Sequence, residues 1–133
     1  MWAKLSPIPD AMATIARELD ATVSRARRVG IDKTRMVIDP GIGFGKRKEQ
    51  NSLILGSLHG LAQLDLPIMV GPSRKSFLAH PDLEETKFAS AGAVTAAILA
   101  GAHIVRVHDV REMRAASEVA DEILRSRQEQ TIR

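Results

Sequence analysis

Apolar residues recur along this chain in two rhythms, and each change of rhythm marks an element. Ile8, Met12, Ile15, Leu19, Val23 and Ala26 return at three- and four-residue steps, the spacing of one helix face. Ser6-Pro7-Ile8-Pro9-Asp10 opens that helix, Arg25, Arg27 and Arg28 crowd its last turns where cations suit the dipole, and Gly30 ends it. The arginines read as a solvated face and Trp2 as a packing plug. A strand is predicted from Arg35 to Asp39. A second helix follows from near Glu49, with Leu53, Ile54, Leu58, Leu61 and Leu64 as its apolar stripe. Gly56 and Gly60 fall inside it and read as points of close helix-to-sheet packing. His59 reads as a surface or half-buried residue. Leu66 to Gly71 is a second strand, apolar on both faces, as in parallel sheets covered by helices.

His80 to Lys87 is polar and proline-containing, a mobile loop by composition. Ala89 to Ala100 is an alanine-rich helix that Gly101 terminates. In the third strand, His103 to Val110, Ile104, Arg106 and His108 share one face while Val105 and Val107 share the other. If the valines pack under helices, Arg106 and His108 point to the opposite, enclosed side. A guanidinium there needs a cavity, an anion or a carboxylate. Asp109 can orient His108 or cap the last helix, Arg111 to Arg127, whose inner stripe is Met113, Ala116, Ala120 and Ile123. Residues 128–133 are expected to fray. This alternation of helices and strands implies one α/β domain over 1–133, with a parallel sheet and right-handed crossovers.

Composition narrows the partners. Hydrophobic content of 44% and charged content of 26% over 133 residues describe a globular chain. A net charge of +3 and a pI near 9.7 suit an anionic ligand. Nucleic acid is not expected, because the basic residues are dispersed and aromatics make up only 3%. Without cysteine there is no disulfide or thiolate metal site. No leader opens the chain and no apolar run is long enough for a membrane span, so a cytoplasmic protein is expected.

Chemistry concentrates after the strands. Ile38-Asp39-Pro40-Gly41-Ile42-Gly43-Phe44-Gly45-Lys46 runs an apolar strand into a carboxylate and a glycine-rich turn. Pro40 stops the ladder, the glycines allow close ligand approach, and Phe44 offers a wedge or stacking surface. The same Asp-Pro-Gly is also ordinary turn chemistry. Pro72-Ser73-Arg74-Lys75-Ser76-Phe77 packs hydroxyls and cations behind the second strand, good anion-binding chemistry if a helix begins there. No zinc spacing, Walker loop or GxSxG elbow occurs, and GIGFG is not the GxGxxG of dinucleotide sites.

Taken together, DPGIGFGK, GPSRKSF and RVHDV, in this order and spacing, resemble the last three strand-end motifs of the dihydropteroate synthases, a pterin-binding family. The resemblance implies an α/β fold that is part of a (β/α)8 TIM barrel, three parallel strands matching the sixth to eighth with their helices. It implies an enzyme of folate biosynthesis that condenses 6-hydroxymethyl-7,8-dihydropterin diphosphate with 4-aminobenzoate, releasing diphosphate. Asp39 and Lys75 would hydrogen-bond the pterin, Arg106 would pack on it, and Arg106 and His108 would hold the diphosphate. Phe44 and Ser76 would lie by the 4-aminobenzoate pocket, with Ser73 in the same substrate-binding loop. Lys75, Arg106 and His108 would be the catalytic set. Magnesium is implied, with its protein ligand outside this chain, as is a homodimer through the outer helices. The barrel-inward face is expected from Val37, Ile68, Val70 and Ile104.

The resemblance also implies absences. A (β/α)8 barrel takes about 250 residues, and it places Met1-Trp2 just past the fifth strand. The chain is therefore expected to be a fragment, inactive by itself. Lys87 stands where the family usually has an arginine. Two other readings are a non-catalytic pterin- or phosphate-binding remnant or assembly subunit, and a pterin-dependent methyltransferase, against which SRKSF and RVHDV argue.

Overall fold

The computed structural model describes residues 11–42, 48–72 and 82–132, in which helices cover one side of a short parallel sheet. Helix α1, Ala11–Arg28, follows its apolar rhythm: Ala11, Ile15 and Ala16 are buried, and Met12, Leu19 and Val23 pack partly against the core. Gly30 ends the helix as expected. Its φ is 93°, its N–H bonds the Arg27 carbonyl at 3.0 Å, and the Ile31 N–H reaches back to Ala26 at 3.1 Å, a paired-bond stop that favours glycine. Arg25, Arg27 and Arg28 are exposed. Trp2 and the helix-opening stretch lie outside the described residues.

The strand expected from Arg35 to Asp39 is reduced to one bridging residue. Asp32 accepts the Thr34 N–H at 3.0 Å and the Thr34 hydroxyl at 3.1 Å, drawing Lys33–Arg35 into a 3-10 turn. Short polar side chains that bond their own backbone compete with a ladder in this way. Only Ile38 pairs, in parallel with Ile68.

The single helix expected between Glu49 and Leu64 is two pieces, α2 (Lys48–Gly56) and a 3-10 helix (Leu58–Leu64). Leu58, Leu61 and Leu64 recur every three residues, the period at which 3-10 side chains line up, and all three are buried. Ile54 and Leu55 are buried while Leu53 is exposed. Neither interior glycine meets the sheet. A Cβ on Gly56 would stand in open space, and one on Gly60 would touch Met12 of α1 at 3.4 Å.

Strand β1, Met69–Val70, pairs in parallel with β2, Ile104–Val105, placing Met69 opposite Ile104 and Val70 opposite Val105. The alternation corrects the expected inward face. Ile68 and Val70 are buried in the main core beneath the helices together with Ile38, whereas Val37 (46% exposed) and Ile104 (42% exposed) occupy the open face. His103 closes the start of the sheet by accepting the Ile68 N–H on Nδ1 at 3.1 Å.

Helix α3, Leu83–Ala100, takes in 83–87 of the expected loop, because the Asp82 carboxylate caps it by accepting the Glu84 N–H and Glu84 and Glu85 sit in its first turn. Gly101 terminates it with φ 123°. Helix α4, Val110–Ile132, continues through 128–132, the stretch expected to fray. Met113 and Ala120 pack against Val94 and Ile98 of α3 with Leu124 partly buried, and Ile123, placed on the inner stripe by its spacing, is exposed. Among the described residues no helix is long and apolar enough to cross a membrane.

Gly56→Ala is expected to raise stability by up to ~1 kcal/mol, because the backbone is helical and the space is open; urea unfolding measures it, and a loss would restore the close-packing role. The carboxyl pKa of Asp32 is lowered from 3.8, first by the Thr34 N–H and then by the Thr34 hydroxyl, with Arg27 adding a smaller electrostatic contribution. Its contribution to stability is present above the ordinary value and lost as pH falls through the lowered one. In an acid titration the Thr34 amide resonance should therefore hold its position until below pH 3.8.

Candidate active site

The same alternation that builds the core aims the chemistry. Past the bridge, Ile38, Pro40 and Ile42 are buried while Asp39 and Gly41 are half-exposed, so the apolar residues anchor a segment whose carboxylate faces away from the core. Asp39 Oδ1 accepts the Gly41 N–H at 2.8 Å, and Gly41 has φ 77°, the tight turn an aspartate favours. The turn and a binding role are compatible, since the turn leaves Oδ2 unused.

On the far side of β1 from Asp39, the Arg106 N–H bonds the Val70 carbonyl at 2.9 Å, extending the pairing one residue past β2. Val105 and Val107 pack against the helix-side cores, as their spacing predicts. Ile104, Arg106 and His108 are exposed. The expectation of an enclosed arginine is corrected here, because no opposite wall covers this face among the described residues. Arg106 instead lies over Gly71: a Cβ built there would stand 2.9 Å from Nη2 and 3.0 Å from Nε. Among the described residues it makes no ion pair.

Asp39, Arg106 and His108 thus collect at the carboxyl ends of the strand segments, while Phe44, Ser73, Lys75 and Ser76 lie outside the described residues. Lys87 belongs to the helix layer. Its ammonium bonds Glu84 at 3.2 Å and approaches Glu112 of α4 at 3.9 Å, and its pKa is raised first by the Glu84 hydrogen bond and then by the Glu84 charge. Gly71, read as the end of the second strand and the first residue of GPSRKSF, is the position against which the Arg106 side chain lies, a contact the sequence does not show. A hollow of about 470 Å³ lined by His59, Asp65 and His103 lies at the amino end of the strands, away from this chemistry. Among the described residues no group of three His, Asp or Glu side chains could hold a metal ion.

A parallel sheet backed by helices, with a carboxylate and a guanidinium beyond the two segments that flank β1, defines an α/β protein with its polar groups at the strand ends where this class of fold holds ligands. Residues 6–108 match the pterin binding enzyme family, and the chain belongs to it. A dihydropteroate synthase of Synechocystis sp. is 39% identical over 125 residues, covering 91% of this chain and 43% of that protein. The Xanthomonas albilineans dihydropteroate synthase with 4-aminobenzoic acid superposes with a TM-score of 0.83 at 34% identity, over 90% of this chain and 45% of its own. The same enzyme in complex with 7,8-dihydropteroate gives 0.81 at 34% identity, over 88% and 48%. The chain spans less than half the length of each of these relatives.

Asp39→Asn should keep the turn, because the amide oxygen still accepts the Gly41 N–H, whereas Asp39→Ala should lose about 1 kcal/mol of stability. Denaturation of the two variants side by side checks this, and equal stabilities would remove the turn role.

Proposed function

We propose that the chain is the sixth-to-eighth-strand portion of a dihydropteroate synthase. The observation that carries the reading is Asp39 and Arg106 at the carboxyl ends of the two segments that flank β1, in a chain that superposes on dihydropteroate synthases. Asp39 offers a carboxylate to the guanidine-like edge of a pterin. Arg106 supplies a flat cation that can both stack on the ring and hold a diphosphate, with His108 beside it. Lys75 would add a contact to the ring, and Phe44, Ser73 and Ser76 would line the 4-aminobenzoate side.

In the reaction, the bond from the pterin methylene carbon to the diphosphate oxygen breaks, and its electron pair leaves with the diphosphate. The aniline nitrogen of 4-aminobenzoate bonds that carbon and gives up a proton. These residues would act by positioning the ring and by stabilising the charge that gathers on the leaving group. Magnesium, where bound, would offset charge on the diphosphate, with its protein ligands coming from outside these residues. A homodimer through α3 and α4 is supported by Phe88 (70% exposed) and Val119 (59% exposed) on their outer surfaces.

The test substitutes this chain for the matching portion of the Synechocystis synthase and measures dihydropteroate formation from labelled 4-aminobenzoate. The chimera should turn over, and Asp39→Ala within it should weaken pterin binding by about tenfold or more, as a charged hydrogen bond worth ~1.5–3 kcal/mol implies. The 133-residue chain alone should form no product. A folded chimera that binds pterin diphosphate without turnover would favour a binding remnant, and transfer of a labelled methyl group would favour a methyltransferase.

A further inference from the structure

Gly71 is buried between β1 and Pro72, and nothing in its backbone calls for glycine, since its φ lies outside the left-handed region. Space calls for it instead. The three atoms nearest a Cβ at this position all belong to Arg106: Nη2 at 2.9 Å, Nε at 3.0 Å and Cζ at 3.4 Å. Nitrogens at both ends of the guanidinium are comparably close, so the group runs alongside the Gly71 backbone rather than touching it end-on. The Arg106 backbone is fixed in turn by its N–H bond to Val70 at 2.9 Å. Arginine is thereby restrained at both ends of a long side chain, its main chain by the ladder and its head by a seat that only glycine leaves open. An arginine on the exposed face of a strand would otherwise sample many rotamers and reach a ligand at an entropic cost.

We propose that Gly71 is a positioning residue that acts through Arg106, holding the guanidinium across the neighbouring strand end in the pose that meets an anionic, planar ligand. The ligand part of this inference rests on the function proposed above; the seat itself does not. Gly71→Ala is a sharp probe because the three atoms nearest its Cβ all belong to the far end of the Arg106 side chain, so the arginine head must move while the fold has little reason to.

The experiment uses the full chain with two readouts. First, the Nε–Hε resonance of Arg106 is compared in wild-type and Gly71→Ala protein by NMR, with melting temperature as the control on folding. The expected result is a displaced, faster-exchanging Nε–Hε signal at a nearly unchanged melting temperature. An unmoved signal overturns the proposal. Second, calorimetry with inorganic diphosphate is run on wild type, Gly71→Ala, Arg106→Ala and the double variant. Gly71→Ala should weaken diphosphate binding by about tenfold when Arg106 is present and leave it unchanged when residue 106 is alanine. Equal loss in both backgrounds would mean that Gly71 serves the ligand by itself, and would equally overturn the proposal. The Nε–Hε comparison needs no ligand, so it decides the positioning role even where wild-type protein fails to bind diphosphate, a failure that falls on the proposed function alone.

Discussion

The phase of a very short parallel ladder governs everything else in this molecule. Ile38 N–H to Pro67 at 2.9 Å, Met69 N–H to Ile38 at 2.8 Å, Ile104 N–H to Ile68 at 3.1 Å and Arg106 N–H to Val70 at 2.9 Å hold three segments side by side. Because strand side chains alternate, these bonds decide at once which residues enter the core and which stand beyond it. A slip of one residue in the third segment would drive Arg106 toward Val94 and Met113, both at most 1% exposed. An uncompensated buried charge there costs several times the net worth of a ladder hydrogen bond. The core therefore enforces the register, and the register aims the site.

This division of labour explains why one bridging residue, Ile38, and two strands of two residues each suffice. The sheet contributes little burial by itself; Ile54, Leu58, Leu61, Ile68 and Val70, all at 0–2% exposure, form a contiguous core from helices and strands together. Met113 and Ala120 of α4 build a second cluster against α3. Both clusters lie on the helix side of the sheet. The open face carries Asp39, Arg106 and His108 among exposed Val37 and Ile104.

How much of this was legible in the sequence follows from how local each signal was. The alternation of Val105 and Val107 against Arg106 and His108 was readable because it needs only the two-residue period of a strand. The helix of α1 and its Gly30 stop were equally local. Errors came where two local signals competed or where the third dimension decided. Asp32 converts the run before Met36 into a turn, a cap that the apolar count cannot see. Asp82 followed by Glu84 and Glu85 is a helix start, overlooked because the surrounding residues are polar. Leu58, Leu61 and Leu64 read as the continuation of a single helix from near Glu49, yet their strict three-residue spacing is that of a separate 3-10 helix. The inward face was mistaken for Ile68 and Val70 because a strand apolar on both sides carries no internal sign of which side faces the helices. Phe44, Ser73, Lys75 and Ser76 rest on motif resemblance alone.

The open face also shows why stability and chemistry can be separated in this chain. In a closed barrel the inward residues pack in layers against those of the other strands, so Val37 and Ile104, each more than two-fifths exposed here, are surfaces suited to an opposite wall. The helix-side clusters need no such wall, because their members are already buried. Folding free energy thus comes mainly from one side of the sheet and ligand recognition from the other, with the ladder as their shared boundary. A substitution at Leu58 or Met113 should act on stability with the direction of Arg106 unchanged so long as the ladder holds. A substitution at Gly71 should do the reverse. Side chains pointing away from the helices are free to be chosen for ligand chemistry, because packing beneath the sheet already fixes where that chemistry is presented.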